Sequence, residues 1–330
     1  VGIERTARLW SGIVLFIFVL THFLNHALGI FGIAVMEEAQ LWRTAVWRST
    51  PGTFLLYGAA AIHVLLASKR IVERRTWRMP LRDVLQICLG LSIPYLLYEH
   101  AIGTRWVSEV ANVDDAYAAT LQHLWPSRIW QQTILTLVVW GQARIGIESS
   151  VRVRTGWPRW REAVLGVAVV VPLAALAGYG AAGREAVVLG HVGARWTSDQ
   201  VAAFDQAARI AYNALIIFGG GLIFLIAARA LMRRFGRRVP VRYVGHGKAT
   251  LPRGSTLLEA SRENAIPHPS LCGGRARCST CRVLVVEGHE KLPPPNATER
   301  QLLERISAPP KVRLACQIRP AEPITVQILT

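Results

Sequence analysis

The chain has 330 residues, of which 52% are hydrophobic and 18% charged, with a formal net charge of +17. A mean hydropathy of +0.29 excludes an ordinary soluble domain. The basic residues gather in short clusters between apolar runs, which excludes a soluble nucleic-acid binder and is the pattern of a membrane protein that keeps its cationic loops inside. The length allows about two domains.

A hydrocarbon core about 30 Å thick needs roughly 20 apolar residues in helical form. Six runs reach or approach that length: 9–31, 52–68, 84–103, 129–149, 163–181 and 207–231. The second is the shortest and carries His63; the fifth carries Pro172, a kink that lipid tolerates. Cationic clusters follow the second, fourth and sixth runs: Lys69 and Arg70 with Arg74, Arg75, Arg78 and Arg82; Arg152, Arg154, Arg159 and Arg161; and Arg233, Arg234, Arg237 and Arg238. The opposite loops are nearly balanced. All three clusters therefore fall on one side, which predicts a multi-pass inner-membrane protein with both termini cytoplasmic. Cys88, alone in the third run, is expected to be a buried structural residue.

The character changes after Arg238, so the expected domains are 1–238 and 239–330. Strands are expected at 240–246, 249–252, 282–286, 312–315 and 324–329. Thr256 with Glu259 reads as a capping box opening a helix over 257–263. Asn296 with Glu299 opens a second helix, placed at 300–306. Short strands, one packed helix and a long loop predict an α+β domain of β-grasp type. His246, His268 and His289 are expected at its surface.

The long loop carries Cys272-Gly-Gly-Arg-Ala-Arg-Cys278-Ser-Thr-Cys281, and Cys316 follows in Leu-Ala-Cys-Gln. Two irons bridged by two sulfides need four thiolates. Three on one tight loop and one from a distant segment can enclose them. Gly273 and Gly274 let the backbone turn its N–H groups toward the sulfurs. The other readings are a structural zinc site or reduced free thiols. Zinc ribbons use two close cysteine pairs, and only one such pair is present here. This stretch resembles [2Fe–2S] ferredoxins, and the gap between the first two cysteines is similar to the adrenodoxin-like spacing. The resemblance makes Cys272, Cys278, Cys281 and Cys316 the cluster ligands. Ferredoxins of this kind are acidic, whereas this domain is basic, which favours a tethered domain facing anionic lipid or its own membrane part over a free shuttle.

Ionisable groups within membrane segments are functional candidates. His22 and His26 lie in the first run, His63 in the second and His100 in the third. Neutral imidazole is the usual haem b ligand in helical bundles. His26 and His100 lie roughly 8 Å and 5 Å from the outer ends of their helices, so they could clamp one haem; His22 and His63 lie deeper. Arg105 stands just beyond the third run as a partner for a haem propionate. Arg144 in the fourth run either snorkels to the interface, pairs with Glu148 or meets a propionate.

The segments around His22 and His26, His63, His100 with Gly103-Thr104-Arg105, Leu124-Trp125-Pro126 and Val139-Trp140 resemble the six-helix haem b anchor of bacterial membrane-bound adenylate cyclases, itself similar to succinate dehydrogenase anchors. The resemblance implies a quinone-responsive anchor with haem b. Gln142 and Glu148 stand where that family places histidines, so one haem at His26 and His100 is expected, or two if His63 and His22 take part. The implied function is electron transfer between quinone, haem b and the cytoplasmic cluster, with membrane lipid and a cytoplasmic redox partner as the other contacts. The alternative is a redox-sensing module of an adenylate cyclase. No catalytic domain is evident in the sequence itself.

Overall fold

Long runs of straight-chain and small apolar residues favour helix, and helices dominate the N-terminal two-thirds of the computed structural model, which describes residues 2–151, 157–190 and 196–329. In chain order they are α1 Gly2–Ala27, α2 Ile33–Trp47, α3 Thr50–Val72, α4 Leu81–Ala101, α5 Val107–Ala111, α6 Tyr117–Leu124, α7 Ile129–Val151, α8 Trp157–Val188 and α9 Ser198–Arg234. A 3₁₀ turn, Leu28–Phe31, follows α1, and a π-helical segment, Ile102–Trp106, joins α4 to α5.

Among the described residues, five stretches are long and apolar enough to cross a membrane: Thr6–Phe31, Thr50–Val72, Leu81–Ala111, Arg159–Val188 and Ser198–Arg234. They coincide with five of the six expected segments. The remaining one is α7, whose 23 residues give the length but not the hydropathy. Its polar side chains include Gln131, Gln132, Gln142 and Arg144. Gly90 leaves room for the Gln142 amide, whose nitrogen lies 3.0 Å from where a Cβ would stand. Arg144 lies 3.8 Å from Glu148 one turn on. Cys88 is exposed on α4, contrary to the expected burial. An apolar run long enough to span lipid has an outward face as apolar as its inward one, so hydropathy alone does not separate the two. Arg152, Arg154 and His191 lie outside the described residues.

The described residues form two units. One draws on Val1–Arg70, Leu85–Glu148 and Gly156–Leu222; the other on Ile71–Val84, Ser149–Thr155 and Ile223–Thr330. In the first, α8 packs against α1 and the turn after it. A Cβ on Gly178 would lie 2.0 Å from the His26 carbonyl oxygen, and one on Gly29 would lie 2.4 Å from the Gly178 carbonyl oxygen. Glycine at both points lets the two backbones meet, the small-residue contact typical of membrane helices. Ile33, Met36, Tyr117, Leu121, Tyr179 and Ala182 form one buried cluster; Phe23, Trp140 and Ala175 form another.

The second unit contains a five-stranded sheet in the order β2-β1-β5-β3-β4, with strands β1 Arg238–Tyr243, β2 Gly247–Pro252, β3 Arg282–Glu287, β4 Val312–Leu314 and β5 Ile324–Ile328. β1 runs parallel to β5; the other pairings are antiparallel. The helix α10, Leu257–Glu263, buries Leu257, Leu258 and Ala260 in a core with Val241, Val283 and Val326. Its capping box is formed: the Glu259 N–H donates to Thr256 Oγ1 at 3.2 Å, and the Thr256 N–H donates to Glu259 Oε2 at 2.8 Å. The second helix, α11 Ala297–Arg305, starts earlier than expected because Asn296 is itself the cap, accepting from the Glu299 N–H at 3.0 Å. The domain is α+β.

His268 is not simply a surface residue. Its Nδ1 lies 2.8 Å from Ser261 Oγ, and burial pushes its pKa down to about 4. Ser261 donates in turn toward the Leu257 carbonyl oxygen, as does the Tyr243 hydroxyl, which burial pushes up to about 12.

One ion pair among the described residues lies fully inside this domain. Arg313 Nε and Nη2 donate to the two Glu299 oxygens, each at 2.9 Å, and the Leu314 N–H donates to Glu299 Oε1 at 2.9 Å. Glu299 is 1% exposed and Arg313 4%. Removing one partner strands a buried charge, which costs about 3–5 kcal/mol. Glu299→Ala is therefore expected to destabilise the domain by about that amount. Guanidinium unfolding of the full chain, followed by loss of visible iron–sulfur absorption, measures it.

Candidate metal centre

The loop between α10 and β3 turns back on itself through left-handed residues. Gly273 and Gly274 have φ of 67° and 88°; Ala276 and Ser279 have φ of 50° and 56°. Side-chain-bearing residues in that region cost about 1–2 kcal/mol each, which the surrounding loop must offset. Gly274 sits tightly against Leu258, at 3.3 Å, and the Cys316 Cβ, at 3.7 Å. The loop and the turn after β4 thereby bring all four cysteines to one end of the sheet.

Cys272, Cys281 and Cys316 are buried and Cys278 is half-buried. Backbone donors converge on the sulfurs. The Cys272 N–H points to Cys278 Sγ and the Arg275 N–H to Cys272 Sγ, each at 3.3 Å. Thr280 Oγ1 lies 3.0 Å from Cys278 Sγ and also accepts from the Leu271 N–H at 2.9 Å. The Gln317 amide reaches Cys316 Sγ at 3.5 Å.

The thiols associate in two pairs. Contact with Cys278, aided by the N–H groups of Arg277, Arg275 and Gly274, holds Cys272 down to about 5, while the same contact and burial push Cys278 up. Contact with Cys281 holds Cys316 down, with help from Gln317 and the Ala276 N–H, while Cys316 and burial push Cys281 up. At neutral pH each pair holds one thiolate and one thiol. Among the described residues no three His, Cys, Asp or Glu side chains converge on one point. A single tetrahedral ion needs four sulfurs about one centre. Two thiol pairs ringed by amide donors instead fit two bridged irons, one pair to each, whose net negative charge the N–H groups offset.

Two further residues engage this loop within the same unit, and neither is readable as a site residue from sequence. Asp83 pairs through Oδ1 with Arg275 and through Oδ2 with Arg74, both at 3.6 Å, and all three side chains are largely shielded. Arg277 Nη1 donates to the Ser149 carbonyl oxygen at 3.3 Å. The only hint was an acid embedded in a cationic cluster.

The histidines lie in the first unit. Nε2 of His26 is 3.2 Å from Nε2 of His22, and the His22 ring is 5.9 Å from that of His100. His22 thus joins His26 and His100 in one buried group, with Gln132 hydrogen-bonded to His100. The Nδ1 atoms of all three are buried without hydrogen-bond partners. Orphaned imidazoles from α1 and α4 are a donor set that fits haem iron. His63 is elsewhere, its Nδ1 3.2 Å from Ser11 Oγ. Arg105 pairs with Glu109 at 2.9 Å and donates to Thr53 Oγ1 at 3.0 Å.

Residues 245–321 match the family described as a 2Fe-2S iron-sulfur cluster binding domain. A 2Fe-2S ferredoxin-5 of Aquifex aeolicus is 35% identical over 65 residues, 19% of this chain and 68% of that protein. A component of the Na(+)-translocating NADH-quinone reductase of Pseudomonas aeruginosa is 31% identical over 106 residues, 32% of this chain; the matched stretch spans only 25% of that protein. A solved ISC-like [2Fe-2S] ferredoxin of Pseudomonas putida shares 26% identity over 28% of this chain and 92% of its own, with a TM-score of 0.26. The motif, the thiol geometry and the sequence relatives coincide on one stretch. Through it the chain belongs to the 2Fe–2S ferredoxins, proteins that transfer electrons by means of a bound iron–sulfur cluster.

Proposed function

We propose that the chain is a membrane-anchored electron carrier whose cluster is held by Cys272, Cys278, Cys281 and Cys316 and exchanges electrons with membrane quinone. The observation that carries this reading is the arrangement of four thiols as two amide-lined pairs in a chain with five membrane-length helices among its described residues. When bound, a [2Fe–2S] cluster accepts and releases one electron at a time. The protein's part is to fix the sulfurs, present N–H donors to them and limit water access. Asp83 supports that role by holding Arg275, whose own N–H faces Cys272 Sγ.

The cationic clusters put the ferredoxin domain and both termini on the cytoplasmic face of the inner membrane, with the anchor over 1–238 and the ferredoxin domain over 239–330. Quinone enters the reading through the anchor resemblance and through the likeness to a quinone reductase component. Haem b, in this reading, is bound between α1 and α4 by His100 and one or both of His22 and His26. Haem would supply a second one-electron centre within the bilayer. The cyclase-sensor alternative rests on the sequence resemblance alone.

Purified full-length chain is expected to hold iron and acid-labile sulfide at two each per chain, and to give a rhombic EPR signal on reduction. Cys281→Ser should abolish that signal, whereas Cys88→Ser should leave it intact. Zinc in place of iron would defeat the assignment.

Asp83→Asn should speed iron release to a chelator by about two- to fivefold, the scale of one partly exposed ion pair. An unchanged rate would mean that the Arg275 contact does not hold the loop.

A Soret band that is present in the parent chain and lost in His100→Ala is the outcome expected for haem between α1 and α4. Its absence from the parent would remove haem from this reading.

A further inference from the structure

Between α1 and α2 lies a cleft of about 460 Å³, within the range of small-molecule sites. Its wall is apolar apart from a few groups, among them Thr21, Asn25 and Arg43. Thr21 is occupied: its hydroxyl donates to the Ile17 and Phe18 carbonyl oxygens and accepts from Trp47 Nε1 at 3.3 Å. The other two are not satisfied. Arg43 Nε is buried and has no hydrogen-bond partner among the described residues. Asn25 is 4% exposed; its Nδ2 donates to the Met36 carbonyl oxygen at 3.3 Å and to the Tyr117 hydroxyl at 2.8 Å, and its Oδ1 is left without a donor. The Met36 carbonyl can only accept, so the amide cannot be flipped to exchange these roles.

A buried donor and a buried acceptor therefore face one apolar cleft, and each is costly to leave unmet. We infer that this cleft is a binding site for a lipid-soluble hydroquinone. This deepens the quinone reading above and rests on it. A hydroquinone hydroxyl both accepts and donates, so its oxygen takes the Arg43 N–H while its proton goes to Asn25 Oδ1. An oxidised quinone offers acceptors only and leaves Oδ1 unmet. An acyl chain meets neither group. A phosphate needs more charge than one guanidinium offers, and the nearby Arg48 is already paired with Asp115. Trp42, 76% exposed, provides a ring face, and Leu28 provides apolar surface for an isoprenoid tail. The cleft also adjoins the histidine group: the Arg43 charge is felt by His22, His26 and His100 alike.

The test uses the full chain in phosphatidylcholine nanodiscs, photolabelled with an azido-ubiquinone and mapped by peptide mass spectrometry. Label is expected within residues 17–47. Decylubiquinol should displace it at lower concentration than decylubiquinone, and Asn25→Ala should erase that difference. Arg43→Gln should weaken displacement by about tenfold or more, as expected for a hydrogen bond to a charged group. Trp42→Ala, at an exposed position, should also lower labelling and serves if Arg43→Gln fails to fold. Label on other helices, displacement equally well by an alkane of matching length, or labelling unchanged in Arg43→Gln and Trp42→Ala would overturn the site. Loss of haem from Arg43→Gln with labelling unchanged would overturn it too, assigning Arg43 to a haem carboxylate. The reduced cluster's EPR signal is read on the same samples. Labelling without cluster reduction by decylubiquinol would sink the electron-transfer reading and leave the site standing; reduction without labelling would do the reverse.

Discussion

Four cysteine sulfurs cannot share one end of a small domain unless the backbone between them supplies positive charge density, because thiolates repel one another at close range. The loop meets this constraint with N–H groups rather than side chains, and N–H groups converge only where the chain turns through left-handed residues. Gly273 and Gly274 do this freely. Ala276 and Ser279 do it under strain, and the strain persists because Leu258 and the Cys316 turn close over the loop. The core beneath the sheet, the capped α10 and the Glu299–Arg313 pair all hold that closure in place.

Much of the ferredoxin domain was legible in the sequence because its signals are local. Thr256 and Glu259 announce a helix start whatever surrounds them, and α10 spans Leu257–Glu263 as expected. Asn296 announced another, but counting the helix from Glu299 overlooked the rule that the helix begins directly after its cap. The cysteine spacing specified two-iron chemistry over zinc because ligand spacing reports loop geometry directly.

The anchor was less legible. Hydropathy finds runs near 20 residues, so the shorter α2 and α6 passed as loops although both bury residues against α8. α7 passed as a span because its apolar residues outweigh its glutamines by count, whereas the glutamines turn to other helices. His22 looked structural when depth alone was weighed, since depth along one helix says nothing of which side chain an adjacent helix brings near. Arg43 and Asp83 gave no signal at all: each acts through what is placed beside it, and that placement is tertiary.

The link between α9 and β1 is three residues: Phe235, Gly236 and Arg237. Fully extended, such a segment reaches only about 10 Å. A domain on so short a leash searches a volume set by the leash, and its encounters with groups of its own chain do not depend on how much protein is present. Electron exchange within the chain is then a first-order event, whereas any outside acceptor must diffuse to the membrane to collect from it.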